Sequence, residues 1–225
     1  TVEAERALRQ SSVQCEMVLK GHRLGVSDIA FTSDAKQLAS IANDFTIKIW
    51  DTDTGTLINT ISCDHPFGHC ITYSPDNKYL LAVFSDEVMI IWDVETGSII
   101  NSLNLNQIPN IPKGVHSIAC DSTFEKVALA EFGGIHVISF LTDQVYSFEV
   151  NNPKSIAFSP DGRYLVATSA DGINLWDFVE GDTANMNLSD GIEPRDSQIA
   201  FSSDGKQVVF VFDNIIGLLE ISGGS

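Results

Sequence analysis

Short apolar runs recur along the chain, separated by residues that favour turns. Asp28-Ile29-Ala30-Phe31 and Ser155-Ile156-Ala157-Phe158 each lead into a polar phrase, and Leu80-Leu81-Ala82-Val83-Phe84 follows one. Some runs are almost continuously apolar, which fits strands covered on both faces. Others alternate, as in Ser98-Ile99-Ile100-Asn101-Ser102-Leu103, which fits half-exposed strands. The polar phrases resemble one another: TSDAKQL at 32–38, SPDNKYL at 74–80, DSTFEKV at 121–127, SPDGRYL at 159–165 and SSDGKQV at 202–208. Their starts lie 42, 47, 38 and 43 residues apart. Ser, Pro, Asp and Gly supply the backbone geometry of tight turns. Each unit therefore reads as a strand, this turn, two further strands, a Thr-Gly turn such as Thr54-Gly55 or Thr96-Gly97, and a fourth strand. The predicted fold class is all-β.

Every tryptophan in the chain precedes an aspartate: Trp50-Asp51, Trp92-Asp93 and Trp176-Asp177. The first two tryptophans are 42 residues apart and the second and third 84 apart. A dipeptide returning on a step of about 40 residues marks a propeller repeat. With Gly21-His22 and the Ser-Pro-Asp-Gly turns, the chain resembles the WD40-repeat family over roughly residues 15–221. The resemblance implies a β-propeller of four-stranded blades that serves as a rigid, non-catalytic platform for protein contacts. It also implies a buried hydrogen-bonded tetrad in each blade. Repeat one supplies all four residue types, His22, Ser40, Asp44 and Trp50. Repeat two keeps Asp86 and Trp92 but has Ala82 at the hydroxyl position, and repeat four offers Thr168, Asp171 and Trp176 without the histidine. Repeats three and five place Ser139-Phe140 and Leu219-Glu220 where Trp-Asp would stand.

Counting strands predicts twenty, or five blades of four. A first strand over 14–19 stands before repeat one, and the last repeat stops after its third strand. The repeats run over about 18–61, 62–103, 104–150, 151–188 and 189–221, within a propeller domain at 13–222. Two readings stay open. The strand at 14–19 closes a five-bladed ring by completing the last blade, which removes exposed edges. Alternatively, these are five consecutive blades of a larger ring. Residues 1–12 read as a short helix or linker from an upstream region and 223–225 as a flexible tail.

The net charge is −17, from 13 basic and 30 acidic residues. That balance disfavours nucleic acid and anionic membrane surfaces and favours a protein or peptide partner, including a basic one. No run is long and apolar enough for a membrane helix. The four cysteines, Cys15, Cys63, Cys70 and Cys120, are scattered, as reduced cytosolic thiols are. The expected compartment is the cytoplasm.

The candidate chemistry is sparse. Cys63, His65, His69 and Cys70 crowd one segment, but their spacing matches no zinc pattern, and the expectation is no metal and no cofactor. Asp51-Thr52-Asp53-Thr54-Gly55 reads as a hairpin turn rather than a calcium loop. His22, Ser40 and Asp44 superficially resemble a hydrolase triad, but their expected place is beside Trp50 in the core. A propeller glycosidase is the enzyme alternative. Among the five innermost strands only Asp28 is acidic, whereas ordinary glycoside hydrolysis uses a carboxylate pair. The expected binding surface instead combines Arg23 with the turn aromatics Phe45, Phe67 and Phe132, which the WD40 pattern puts on one rim.

Overall fold

The computed structural model describes residues 17–108, 113–142, 144–178, 183–186, 197–212 and 215–221. The expected helix within 1–12, Cys15 and the tail 223–225 lie outside these residues. Nineteen strands are described, arranged in five sheets. Sheet one comprises β1 (Val26–Phe31), β2 (Gln37–Ala42), β3 (Thr46–Asp51) and β4 (Leu57–Ser62). Sheet two comprises β5 (Gly68–Tyr73), β6 (Tyr79–Phe84), β7 (Val88–Asp93) and β8 (Ile99–Asn104). Sheet three follows a 3-10 turn at Leu105–Gln107 and comprises β9 (Ser117–Cys120), β10 (Lys126–Glu131), β11 (Gly134–Ser139) and β12 (Val145–Glu149). Sheet four comprises β13 (Ser155–Phe158), β14 (Tyr164–Ser169), β15 (Gly172–Asp177) and β16 (Thr183–Met186). Sheet five comprises β17 (Ser197–Phe201), β18 (Gln207–Phe212) and β19 (Ile215–Glu220).

Each sheet is an antiparallel meander, so sequence neighbours pair and the connecting turns stay short. The register repeats from blade to blade. Leu38 faces Trp50, Leu80 faces Trp92 and Leu165 faces Trp176. The polar phrases build the turns between first and second strands. In each of four, a Ser or Thr hydroxyl donates to the Asp two residues on: Thr32 to Asp34, Ser74 to Asp76, Ser159 to Asp161 and Ser202 to Asp204.

The core lies between neighbouring sheets rather than inside any one. Ile41, Ile47 and Ile49 of sheet one pack on Leu80, Phe84 and Trp92 of sheet two. Leu81 and Met89 pack on Leu129 and Ile138 of sheet three. Val137 meets Leu165 and Trp176, and Val166 meets Phe210. Polar ties run beside these clusters near the innermost strands. The Asp28 carboxylate accepts the Ile71 N–H at 2.9 Å, and the Ser155 hydroxyl oxygen accepts the Ile199 N–H at 3.3 Å.

Of the strand read at 14–19, residues 14–16 lie outside the described residues, and 17–19 stand in the segment before β1, with Met17 against Gly55. Sheet five has three described strands.

Candidate binding surface

The meander brings the loop before each sheet's first strand to the same end as the turn between its second and third strands. Arg23, Phe45, Phe67 and Phe132 all lie in such segments. One backbone contact repeats at the turns between second and third strands. The carbonyl of Phe45 accepts from Cys63 N–H at 2.9 Å, that of Glu87 from Leu105 N–H at 2.8 Å, and that of Phe132 from Asn152 N–H at 3.1 Å. Phe67 accepts from Ser85 N–H at 3.0 Å.

Phe45, Phe67 and Phe132 are all exposed, as is Leu24 beside Arg23. The rings of Phe45 and Phe67 lie 6.5 Å apart, joining the first and second blades. Phe132 stacks obliquely on His116 at 5.2 Å in the third blade. Phe45 has φ +61° and Phe67 φ +36°. In the fourth blade the matching turn uses Gly172, at φ +117°. An aromatic side chain in this region meets its own carbonyl, which glycine avoids.

Beneath Phe45 the four residues His22, Ser40, Asp44 and Trp50 form one connected chain. The indole N–H of Trp50 donates to Ser40 Oγ at 2.8 Å, and Ser40 Oγ lies 2.7 Å from His22 Nε2. The Ser40 hydrogen therefore goes to Nε2, which leaves Nδ1–H to donate to Asp44 at 3.1 Å. Asp44 also accepts from the Arg23 N–H at 2.7 Å and the Thr46 hydroxyl at 2.6 Å. Burial pushes the Asp44 pKa upward, but Thr46, the Arg23 amide and His22 outweigh it and hold the pKa at about 2. The network thus fixes the turn that presents Arg23 and Phe45. The His22 and Ser40 side chains are both buried.

The other blades depart from this pattern. Asp86 pairs with His65 Nδ1 at 2.7 Å, and Trp92 packs edge-on against Phe84. Thr168 bonds with Ser155 and with Ser197 across to the fifth blade, at 3.2 and 2.8 Å. Asp171 accepts from Asn151 at 3.3 Å, and Trp176 packs on Phe148. Two buried polar arrangements were not legible beforehand. His136 Nδ1 lies 2.9 Å from Ser147 Oγ, and its Nε2 lies 3.6 Å from Glu131. Burial lowers the His136 pKa, with Glu131 opposing. Glu87 accepts the Gly114 N–H at 2.8 Å. One signal existed: Lys48, His136 and Asn174 hold the same place in β3, β11 and β15, and all three are polar in otherwise apolar strands.

The crowded Cys/His segment disperses. Cys63 and Cys70 are buried, His65 turns to Asp86, and His69 Nδ1 meets the Val115 carbonyl at 3.2 Å. Among the described residues no group of three His, Cys, Asp or Glu stands close enough to hold a metal. Burial pushes the Cys63 and Cys120 thiols up to about 12 and raises Cys70 as well, which makes all three poor nucleophiles. Burial also raises the Asp28 pKa, against the Ile71 and Ile29 amides that favour its charge. The lone inner-strand acid is occupied in tying two blades together.

Among the described residues no helix is long and apolar enough to cross a membrane. A family model for the WD domain, G-beta repeat, matches residues 13–51, 55–93 and 143–177, just over half of the chain. The chain is similar to the WD repeat-containing protein SL1-17 of Schistosoma mansoni, 29% identical over 175 residues. That match covers 76% of this chain and 56% of that protein. It is also similar to the vegetative incompatibility protein HET-E-1 of Podospora anserina, 48% identical over 42 residues, which cover 19% of this chain and 3% of that protein. The chain therefore spans about half, or far less, of the length of these relatives. With repeated four-stranded sheets, a common Trp register and these matches, the chain belongs to the WD40-repeat family.

Proposed function

We propose that this chain is a non-catalytic WD40 scaffold that binds a protein or peptide through the rim carrying Arg23, Phe45, Phe67 and Phe132. The observation that carries this reading is the exposed Phe45–Phe67 pair, held with both residues at positive φ. A solvent-facing aromatic in that conformation gives up stability without filling the core, and such outliers gather at functional sites. The net charge of −17 supports a basic partner, attracted over distance before contact. The alternative of a propeller glycosidase lacks support in the inner strands, where Asp28 serves as a tie between blades. The reading includes the cytosol, supported by three free thiols at Cys63, Cys70 and Cys120.

The test compares the wild-type chain with Phe45→Gly and Phe67→Ala on an array of basic and neutral peptides. Relief of the left-handed backbone strain at Phe45 is worth about 1–2 kcal/mol. Glycine's extra chain entropy costs about 0.5–1 kcal/mol. Phe45→Gly should therefore hold or raise the thermal midpoint while lowering binding at least tenfold. Unchanged binding to every peptide that the wild type retains would sink the rim as the binding surface.

A further inference from the structure

Glu131 and His136 occupy a pair of places that recurs in the next blade. Glu131 ends β10 and pairs with Gly134, as Ser169 ends β14 and pairs with Gly172. His136 is third in β11, as Asn174 is in β15. In the fourth blade both residues are neutral and their bonds close. Asn174 Nδ2 donates to Ser169 Oγ at 2.9 Å, and the same oxygen accepts the Asp171 N–H at 3.2 Å. That second bond holds the turn between the second and third strands without any ionisable side chain.

In the third blade the same two places hold titratable groups. Glu131 Oε2 accepts the Gly133 N–H at 2.8 Å and so holds the turn that carries Phe132. The link that matches Asn174–Ser169 stays open. His136 Nε2 stands 3.6 Å from Glu131 Oε1, beyond hydrogen-bond reach, and has no partner among the described residues. The two side chains are only 7% and 5% exposed. A buried ring nitrogen left unpaired costs stability, and neutral residues avoid that cost one blade further on.

We propose that the His136–Glu131 pair is an acid-sensitive latch on the turn that presents Phe132. A proton arriving at Nε2 makes the imidazolium a donor facing a carboxylate already committed to Gly133. If the carboxylate turns to close the gap, Oε2 leaves the Gly133 N–H. If it does not, a buried cation stands unpaired, and the turn opens to hydrate it. Both movements release the Phe132 turn. Glu131 faces the ring from β10, and from β12 the Ser147 hydroxyl meets Nδ1, with exposed Glu149 further along. His116, ahead of β9, turns to the Pro153 carbonyl. The preceding sheet buries Cys70 and Glu87 at this junction, and Glu87 is engaged with Gly114. The charge acting on the ring is that of Glu131. Burial lowers the His136 pKa from its ordinary 6.5, with Glu131 opposing. The neutral ring is therefore favoured by folding. Its contribution is fully present above 6.5 and is lost as pH falls below that value. The consequence for binding rests on the rim reading above.

NMR on the isotope-labelled full chain tests the latch by following the His136 ring and the Gly133 amide together as pH falls through 6.5. The Gly133 signal should move in step with the ring, with a midpoint below 6.5. His136→Asn should abolish that step. Combining His136→Asn with Glu131→Ser copies the fourth blade's pair and carries the test if the single variant folds poorly. The other histidines remain in both variants, so a Gly133 step that persists there belongs to them and overturns the latch. Binding of a peptide that Phe132→Ala weakens should fall with the same step in the wild type, by no more than about tenfold per pH unit, the limit for one proton. A Gly133 signal that stays put while the ring takes its proton overturns the proposal, as does a ring midpoint at or above 6.5. If the Gly133 step appears but Phe132→Ala binds every peptide as the wild type does, the rim reading fails at Phe132 and the latch stands.

Discussion

Asp44 is the residue on which the rim's first turn depends. It collects the Arg23 N–H, the Thr46 hydroxyl and the His22 imidazole, and through His22 and Ser40 it reaches the Trp50 indole. Its folded pKa of about 2 lies below the ordinary value of 3.8, so the ionised form is favoured by folding. The sign follows from linkage. The contribution is fully present above 3.8 and is lost as pH falls toward about 2. Wild-type stability, read from urea unfolding, should therefore decline more steeply between these two pH values than that of Asp44→Asn. The asparagine keeps one acceptor oxygen but has nothing to protonate. Parallel profiles would mean that the turn does not draw on the Asp44 charge. Trp50 belongs to the same chain of bonds, and its ring also lies under Gly21, so the network orients a backbone as well as a side chain.

In a strand the deciding question is how closely a neighbour can approach. β11 begins at Gly134, where an added Cβ would sit 2.6 Å from the Phe148 carbonyl of the paired β12. That obstacle is backbone, so it cannot rotate away. Gly134→Ala should destabilise the third blade, by about 1–3 kcal/mol as overpacking does. A thermal midpoint equal to wild type would mean that β12 shifts freely. The same distinction explains how much the sequence disclosed. Period, turn residues and the Trp-Asp step specify strands, meanders and blade register, because these follow from local geometry and from which positions are apolar. His22, Ser40, Asp44 and Trp50 were legible through the resemblance to the WD40 family, whose repeat puts such residues together in one blade. The partners of Thr168 were not, because Ser197 comes from the next blade and distance across a junction leaves no mark in spacing. His136 and Glu131 were hidden because that blade has no tryptophan to anchor an alignment.

Among the described residues each buried cluster joins one sheet to the next in sequence. Such an array behaves as a sum of blade terms and junction terms, so its stability is uneven along the chain. The second and third sheets have a cluster on each face, whereas the fifth has one against the fourth and an open side. Leu81 and Leu129 are fully buried, while Val209, in the matching place of Leu81, is not. Amide exchange should follow that order. β6 and β10 should exchange only through the largest opening, β18 should exchange through a smaller local opening, and β1 should lie between them. Leu129→Ala, which removes about 2–5 kcal/mol from a central junction, should then speed exchange in both β6 and β10. A substitution confined to β18 should leave β6 unchanged. If the fifth blade proves as protected as the second in the isolated chain at low concentration, the nearest-neighbour account fails.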